Sequence, residues 1–325
     1  MVLERLKHRI VQAPMAGGPS TVELARAVGD AGGLGFLAAG YLKADAVRDE
    51  IRKLRAATDA PFGVNVFVPG AAAADPDALA AYLATLEEAG EPRHDDDGWG
   101  DKIAVLLQER PAVASFAFGC PEIGDMSDLR RAGVEVWVTV TSPAEARQAE
   151  AAGATALVVQ GTEAGGHRGG FEDTAEPIGL LTLLRLVSAA TNLPLIATGG
   201  LMDAHAVAAA RAAGAVAVQA GTAFMLAPEA GTNPAHRALL GTDAPTALTR
   251  AFTGRLGRGI VNGFMTDHPD APRAYPEIHH ATAPMRAAAR ERGDAAGFNL
   301  WAGQGHALAR ERPAGEIVRS LARPD

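Results

Sequence analysis

The chain has 325 residues, of which 48% are hydrophobic and 21% are charged, and its formal net charge at pH 7 is −8. This composition predicts a globular protein large enough for one extensive core or two domains, and it excludes a disordered or collagen-like chain. The acidic balance argues against nucleic acid or an anionic membrane as a partner, because both need a basic face. An anionic ligand would therefore have to be attracted by local charge.

Cys120 is the single cysteine, which excludes an internal disulfide and a multi-cysteine metal cluster. The first residues contain no apolar signal-peptide segment, and no uninterrupted apolar run approaches the ~18 residues that a membrane-spanning helix needs. We therefore expect a cytoplasmic protein.

Eight short apolar or β-branched runs predict strands. In chain order they are Ile10–Met15, Gly33–Ala38, Phe62–Val68, Val113–Gly119, Val134–Val140, Ala156–Gly161, Pro194–Thr198 and Ala215–Gln219. Four of them follow a helix-like segment that ends on Ala-Gly, where glycine favours the left-handed helix terminus; these glycines are Gly32, Gly133, Gly153 and Gly214. Helix starts are predicted at Ser20-x-x-Glu23, at Ser142-Pro143-x-Glu145 and at Asp203.

Helices and strands thus alternate, and the strands are apolar throughout. This pattern favours an α/β protein with a parallel sheet closed as a (β/α)₈ TIM barrel. An open doubly wound sheet is the alternative, because local patterns do not reveal closure. We assign residues 1–225 to the barrel and 226–325 to a mostly helical lid or second domain, whose last helix is expected to pack back on the barrel.

Several helices are predicted outside the regular repeat. Between the third and fourth strands, Pro76–Ala89 and Trp99–Arg110 are predicted helices that flank a solvated acidic turn at His94–Asp97. In the C-terminal part, Pro284–Arg292 and His306–Arg312 are predicted helices separated by glycine and proline.

The loop after the sixth strand, Gln160–Gly169, contains four glycines together with Glu163, His167 and Arg168. Glycine lets the backbone approach a ligand closely, and imidazole titrates near neutral pH. Because the carboxyl ends of barrel strands converge on one face, we expect this loop to belong to an active site with His167 as the proton-handling residue.

Other strand ends supply polar groups to the same face. Gly199-Gly200 and Gln219-Ala220-Gly221-Thr222 follow the seventh and eighth strands, where barrels commonly bind a phosphate group. The amides of Asn65, Gln160 and Gln219 suit the donors and acceptors on the edge of a ring such as an isoalloxazine. A structural role in a turn or in the core is the alternative for each amide.

Two other motifs are set aside. The sequence Gly33-Leu34-Gly35-Phe36-Leu37-Ala38 matches the dinucleotide fingerprint but lies in or before a strand rather than after one. His279-His280 beside Glu277 lacks a ligand at helical spacing, so we expect a surface loop and no metal site.

The chain resembles the class I nitronate monooxygenases, formerly called 2-nitropropane dioxygenases. The resemblance covers most of residues 10 to 305 and depends on the following motifs: Gln12-Ala13-Pro14-Met15-Ala16-Gly17-Gly18, Phe116-x-Phe118-Gly119, Gln160-Gly-x-Glu-Ala-Gly-Gly-His167-Arg168-Gly169, Gly199-Gly200…Gln219-x-Gly221-Thr222, Gly254-Arg255-x-x-Arg258-Gly259 and Leu300-Trp301-Ala302-Gly303-Gln304-Gly305.

The resemblance implies an FMN-dependent, metal-free TIM-barrel enzyme that oxidises alkyl nitronates with O₂ to a carbonyl compound and nitrite. It implies His167 as the catalytic residue. It implies FMN binding by Met15, Asn65, Gln160, Gly165, Gly199, Gly200, Gln219, Ala220, Gly221 and Thr222. The implied partners are a small-molecule nitronate and O₂, in a monomer or homodimer.

Three alternatives remain open. FMN-dependent enoyl-ACP reductases carry a similar Glu-Ala-Gly-Gly-His loop, so an NADH-dependent enoyl or quinone reductase is one of them. A non-redox phosphate-binding barrel lyase or isomerase is the second, and a flavin-binding protein without catalysis is the third. Neutral nitroalkanes are a further substrate class if His167 acts as a general base, which requires a pKa near the operating pH.

Overall fold

The computed structural model describes residues 1–173 and 176–323. The strands, in chain order, are β1 (Ile10–Gln12), β2 (Gly35–Ala38), β3 (Phe62–Phe67), β4 (Val113–Ala117), β5 (Glu135–Val140), β6 (Ala156–Gln160), β7 (Gly166–His167), β8 (Leu195–Thr198), β9 (Ala217–Ala220), β10 (Thr246–Thr249) and β11 (Gly257–Ile260).

The helices are α1 (Val2–Arg5), α2 (Val22–Asp30), α3 (Ala44–Ala57), α4 (Pro76–Leu83), α5 (Trp99–Glu109), α6 (Ile123–Arg131), α7 (Pro143–Ala152), α8 (Leu180–Ser188), α9 (Ala204–Ala212), α10 (Pro234–Arg237), α11 (Gly263–Asp267), α12 (Glu277–Glu291) and α13 (Ala314–Leu321). Short 3₁₀ helices cover Thr222–Phe224 and His306–Leu308. Among the described residues, no helix is long and apolar enough to cross a membrane.

Eight parallel strands form a barrel in the spatial order β1-β9-β8-β6-β5-β4-β3-β2. The two ends of this order meet, because Val11 forms a parallel bridge with Leu34, just before β2. Two backbone bonds make this junction: Gln12 N–H donates to Leu34 O (2.9 Å), and Leu34 N–H donates to Ile10 O (3.0 Å). The predicted (β/α)₈ barrel is therefore confirmed over the open sheet.

Seven of the eight predicted runs contain a barrel strand, and the eighth, Ala215–Gln219, overlaps β9 (Ala217–Ala220). The Ala-Gly helix ends are confirmed as well, since Gly32, Gly133, Gly153 and Gly214 have φ of 88°, 86°, 104° and 114°. Ser142 and Asp203 cap α7 and α9 as predicted.

The predicted cap at Ser20 is wrong by one residue. Thr21 caps α2, its Oγ1 accepting from Leu24 N–H (2.9 Å). The Ser20 hydroxyl instead accepts from Met15 N–H and from the Gln12 amide, both at 2.9 Å. Ser20 therefore stabilises the loop after β1 rather than the helix.

An apolar cluster fills the amino-terminal end of the barrel. It joins Val2 and Leu3 of α1 to buried residues from most of the barrel strands, and the rings of Phe36 and Trp137 lie 5.8 Å apart within it. A larger cluster lies between the strands and the surrounding helices. The packed amino-terminal end leaves the carboxyl ends of the strands as the place for a ligand.

The C-terminal part is not only helical. Strands β10 and β11 pair antiparallel, and β11 also pairs with β7, so that Gly257 is opposite His167. This three-stranded sheet attaches the loop after β6 to the C-terminal part. Helix α13 packs against α2 and α9.

Four predicted details of the segments outside the barrel are corrected. Helix α4 ends at Leu83, six residues before the predicted end at Ala89. Helix α12 begins at Glu277 and continues through Pro284, where a helix start was predicted. A 3₁₀ turn covers His306–Leu308 in place of the helix expected to reach Arg312.

The acidic turn is the fourth correction, because it is not simply solvated. Asp97 pairs with the fully buried Lys102 (2.6 Å), and Asp95 pairs with His280 (2.9 Å). The turn is therefore exposed at His94 and Asp96, as predicted, but packs through Asp97 and Asp95 against α5 and α12.

Candidate active site

A cavity of about 820 Å³ lies at the carboxyl ends of the strands. Its walls come from the loops after β1, β3, β6, β8 and β9 and from the C-terminal part. All eleven site residues named from the sequence line it: Met15, Asn65, Gln160, Gly165, His167, Gly199, Gly200, Gln219, Ala220, Gly221 and Thr222. The fold thus brings the candidate residues together, although they span more than two hundred positions in the chain.

His167 is held by strand pairing and by a ring of aromatic side chains. Its ring centroid lies 5.6 Å from that of Phe118, 5.9 Å from that of Tyr275 and 5.2 Å from that of Trp301. Burial, together with the positive charge of Arg255 and Arg286, lowers the pKa of His167 to about 3. The imidazole is therefore neutral at physiological pH, and the pKa near the operating pH that a general base needs is not found.

The hydroxyl of Thr253 controls where the proton of His167 lies. His167 Nε2 is 2.8 Å from Thr253 Oγ1, which is also 3.2 Å from the carbonyl oxygen of Arg255. If Thr253 donates its one proton to Nε2, the imidazole carries its proton on Nδ1 and offers a donor there. If Thr253 donates to Arg255 O instead, Nδ1 is an acceptor. Rotation of one hydroxyl therefore exchanges donor and acceptor without a change in charge.

The three strand-end amides differ in how fully the protein satisfies them. Gln160 Nε2 donates to His167 O (3.1 Å), and its Oε1 accepts from Gly169 N–H (2.7 Å), so this amide holds the loop closed. Asn65 Nδ2 donates to Ser115 O and Oγ at 3.1 and 2.9 Å. Gln219 is only 7% exposed and, among the described residues, its amide has no hydrogen-bond partner. Gln219 is therefore the amide most available to a ligand.

The glycines of the site differ in what they require. Gly199 and Gly200 have φ of 123° and 70°, values that side chains rarely tolerate. A Cβ on Gly165 would lie 2.5 Å from the backbone of Ala302 and Gly303, so this glycine permits a close approach of the C-terminal part. Gly221 has an ordinary φ of −109°.

The positive charge at the cavity does not come from Arg168. Arg168 is buried outside the cavity wall, and its two terminal nitrogens have no hydrogen-bond partner among the described residues. Arg286 and Arg290, both on α12, line the cavity, and in the described part of the chain neither forms an ion pair with a carboxylate. They provide the local positive charge that an anionic ligand needs in an acidic protein.

Sequence reasoning missed this wall, which is one face of α12. His279, Ala283, Arg286 and Arg290 all line the cavity. Their spacing of four, three and four residues is that of a single helical face, and this was the signal available in the sequence. His279 and His280 therefore lie in a helix rather than in the predicted surface loop. The described residues contain no group of His, Cys, Asp and Glu that could hold a metal ion.

A closed (β/α)₈ barrel with a cavity and an enclosed imidazole at its strand ends defines an enzyme of the TIM-barrel class. The family described as nitronate monooxygenase matches residues 3–323, and the chain belongs to this family. The chain is 44% identical to nitronate monooxygenase from Pseudomonas aeruginosa, over 97% of this chain and 95% of the relative.

Solved structures agree with this assignment. Nitroalkane oxidase from Streptomyces ansochromogenes is 49% identical, with a TM-score of 0.96, over 99% of this chain and 96% of that chain. FabK from Thermotoga maritima is 29% identical, with a TM-score of 0.78, over 98% of this chain and 93% of that chain. The protein is thus an oxidoreductase of the nitronate monooxygenase family.

Proposed function

We propose that the protein uses bound FMN to oxidise alkyl nitronates with O₂ to a carbonyl compound and nitrite. The carbon–nitrogen bond breaks, the nitrogen leaves as nitrite, and O₂ is the oxidant and supplies the carbonyl oxygen. Two nitronates and one O₂ give two carbonyl compounds and two nitrites, so atoms, charge and electrons balance. The observation that carries this proposal is a neutral His167 in a cavity made positive by two arginines, Arg286 and Arg290, that have no carboxylate partner among the described residues.

The cavity residues fit FMN. A volume of about 820 Å³ lies within the range of cofactor sites, ≈ 300–1,000 Å³. The amide of Gln219, which has no partner in the part of the chain that the structure describes, can both donate and accept, as the edge of an isoalloxazine requires. Gly199 and Gly200 keep the strand end free of side chains, as a phosphate site requires.

We assign FMN binding to the residues that the resemblance indicated: Met15, Asn65, Gln160, Gly165, Gly199, Gly200, Gln219, Ala220, Gly221 and Thr222. When bound, FMN would accept electrons from the substrate and pass them to O₂. Gln160 contributes through the loop it closes and through its remaining N–H group, because the loop already occupies its oxygen.

His167 is proposed to bind the nitro group of the substrate. A nitronate carries negative charge on two oxygens, so it selects the tautomer in which Thr253 donates to Nε2 and Nδ1–H points to the anion. An imidazole with a pKa of about 3 is a weak base. We therefore propose a nitronate, already deprotonated, as the substrate in preference to a neutral nitroalkane.

The C-terminal part is proposed to act as a lid, with residues 1–225 as the barrel and 226–325 as the covering unit. Arg286, Asn299 and Trp301 from this part line the cavity opposite the strand ends. The arginines attract the anion, and the aromatic side chains around His167 keep water away from it. We propose that the enzyme acts in the cytoplasm as a monomer or homodimer.

The test is a visible spectrum followed by substrate addition. The purified protein is expected to show a flavin spectrum, to release FMN, and to consume O₂ and form nitrite with an alkyl nitronate but without NADH. Rapid anaerobic bleaching by micromolar NADH would instead support an enoyl or quinone reductase. A colourless protein that stays colourless after reconstitution would support a lyase or isomerase, and a yellow protein inert to both substrates would support flavin binding without catalysis.

A further inference from the structure

We infer that His279 binds the substrate as a fixed hydrogen-bond donor, held by Arg286 and Tyr41 in the neutral tautomer that presents Nε2–H to the cavity. This inference rests on the proposed oxidation of nitronates and adds a second imidazole to the site. His279 lines the same cavity as His167, and the ring of Tyr275 lies near both, at 5.9 Å from His167 and 6.4 Å from His279.

Arg286 determines the tautomer of His279. Its Nη2 lies 3.2 Å from His279 Nδ1 and 2.8 Å from the carbonyl oxygen of the same residue. A guanidinium can only donate, so Nδ1 must be the acceptor, and the single proton of the neutral ring must lie on Nε2. His279 differs in this from His167, whose partner is a hydroxyl that can donate or accept.

Arg286 is itself held in place. Its Nε donates to Thr282 Oγ1 (3.0 Å), and its Nη1 donates to Asn299 Oδ1 (3.2 Å). The side chain is 4% exposed, so few alternative positions are open to it. The donor that fixes the tautomer is therefore rigid.

Tyr41 fixes the plane of the His279 ring. The two rings are stacked, with centroids 4.1 Å apart and planes at 6°. Tyr41 has a left-handed φ of 69°, which is costly for a bulky residue, and its N–H donates to Asp97 Oδ1 (3.0 Å). Asp97 is anchored in turn by the buried Lys102. The acidic turn thus stabilises the strained backbone of Tyr41, and this backbone positions the Tyr41 ring against His279.

His279 also keeps its neutral state. Burial, followed by the positive charge of Arg286 and smaller contributions from His280, His167 and Arg290, lowers its pKa to about 2. Asp95 pairs with the neighbouring His280, and Arg93 pairs with Asp95. Protonation of Nδ1 would place a cation against Arg286. The ring therefore remains a neutral donor throughout the physiological pH range.

The Nε2–H group needs an acceptor from outside the protein. Among the described residues, the only hydrogen-bond partner of the His279 ring is Arg286, which contacts Nδ1. An enclosed N–H group without a partner is costly, and an anionic oxygen satisfies it best. A nitronate has two such oxygens. His279 and the Nδ1–H tautomer of His167 together provide two donors.

The test compares two substitutions in the FMN-loaded enzyme. His279→Gln keeps an N–H group at the reach of Nε2 and loses the ring, whereas His279→Phe keeps the stacking ring and loses the donor. We expect kcat/KM for an alkyl nitronate to fall about 10- to 100-fold in H279F, the loss of one hydrogen bond to a charged group, and to change by less than about threefold in H279Q. A purely structural role predicts the reverse order, and that result would overturn the inference.

Two further measurements do not depend on turnover. Nitrite, a small anion with two oxygens, is expected to bind about tenfold more weakly to H279F than to H279Q, measured by perturbation of the flavin spectrum. In ¹⁵N-histidine spectra of the wild-type protein, His279 is expected to carry its proton on Nε2 at neutral pH, and a proton on Nδ1 would refute the inference even if a variant fails to fold. A wild-type enzyme inactive on every nitronate would refute the proposed function, whereas an active wild type with an equally active H279F refutes only the role of His279.

Discussion

Three enclosed histidines predict that the protein loses stability on mild acidification. Burial, with nearby positive charge, lowers the pKa of His167 to about 3, of His236 to about 4 and of His279 to about 2. In the unfolded chain each titrates near 6.5. Between these values the unfolded state binds more protons than the folded state, so the free energy of unfolding falls as the pH falls below 6.5.

The size of this effect follows from the shifts. At pH 5 an unfolded histidine is almost fully protonated, whereas each of the three folded ones is almost fully neutral. Each residue therefore lowers the free energy of unfolding by about 2 kcal/mol relative to neutral pH, at ~1.4 kcal/mol per pH unit. The three together lower the free energy of unfolding by about 6 kcal/mol. That is comparable with the whole stability of an ordinary domain, 5–15 kcal/mol.

The assay is urea unfolding at a series of pH values from 7.5 to 5, followed by fluorescence and far-UV circular dichroism. Replacing His236, which is 6% exposed, with phenylalanine is expected to remove about one third of the pH slope that these three histidines contribute. Leu240→Ala is the matched control, because it removes packing from the neighbouring apolar cluster without removing a titrating group. It should lower the whole curve and leave its slope unchanged.

A free energy of unfolding that stays constant or rises between pH 7.5 and 5 would refute the reasoning. It would mean that these imidazoles are protonated in the folded protein. His167 and His279 would then be cationic in the cavity, and the hydrogen-bonding roles proposed for them would have to be replaced by charge pairing with the substrate.

Three other changes test the site. Gly221→Val should leave the protein folded but free of FMN, because a side chain at this position is compatible with the backbone φ but enters the cavity. Gly70→Val, at an exposed position, is the control. Flavin retained by the Gly221→Val protein would contradict the assignment. His167→Asn should lower kcat/KM for a nitronate about 10²-fold at unchanged flavin content, and parallel loss of flavin would indicate a structural role. Gly165→Ala should lower the melting temperature and reduce the free energy of unfolding by about 1–3 kcal/mol, because its Cβ would lie 2.5 Å from the backbone of Ala302. An unchanged melting temperature would show that the backbone of Ala302 can shift without loss of stability.

The barrel could be predicted because its signals are local. Each strand is a short apolar run, and four of the preceding helices end at a glycine such as Gly153, whose left-handed φ of 104° only glycine adopts freely. The convergence of strand ends then follows from the fold, and the sequence pattern alone therefore predicts that His167 and Gln219 lie in one cavity.

The C-terminal sheet could not be predicted in the same way. Strand β11 reads Gly-Arg-Gly-Ile, without alternation, and its partner Gly166-His167 lies about ninety residues earlier in the chain. A short irregular strand is specified by long-range pairing rather than by its own residues. The hydrogen bonds that fix His167 therefore depend on information that no local window contains.

Residue type also does not determine the direction of a side chain. Gln160 is assigned to the cofactor site, yet the loop backbone already engages its oxygen and one of its N–H groups. Arg168 follows the proposed catalytic residue, yet its guanidinium is buried outside the cavity wall. Because adjacent residues in an extended segment point to opposite faces, His167 and Arg168 cannot both enter the same cavity.

The charge of the protein and the charge of its cavity oppose each other, and this contrast bears on the substrate. The chain carries a formal net charge of −8, whereas Arg286 and Arg290 line the cavity and Arg255 lies close enough to lower the pKa of His167. A neutral nitroalkane would gain little from these charges, whereas a nitronate is attracted only once it is near the opening. The same charges that would draw the anion inward keep the imidazoles neutral, so in the proposed function recognition of the nitro group depends on oriented N–H donors. The arrangement favours a substrate that arrives deprotonated over one that must be deprotonated inside.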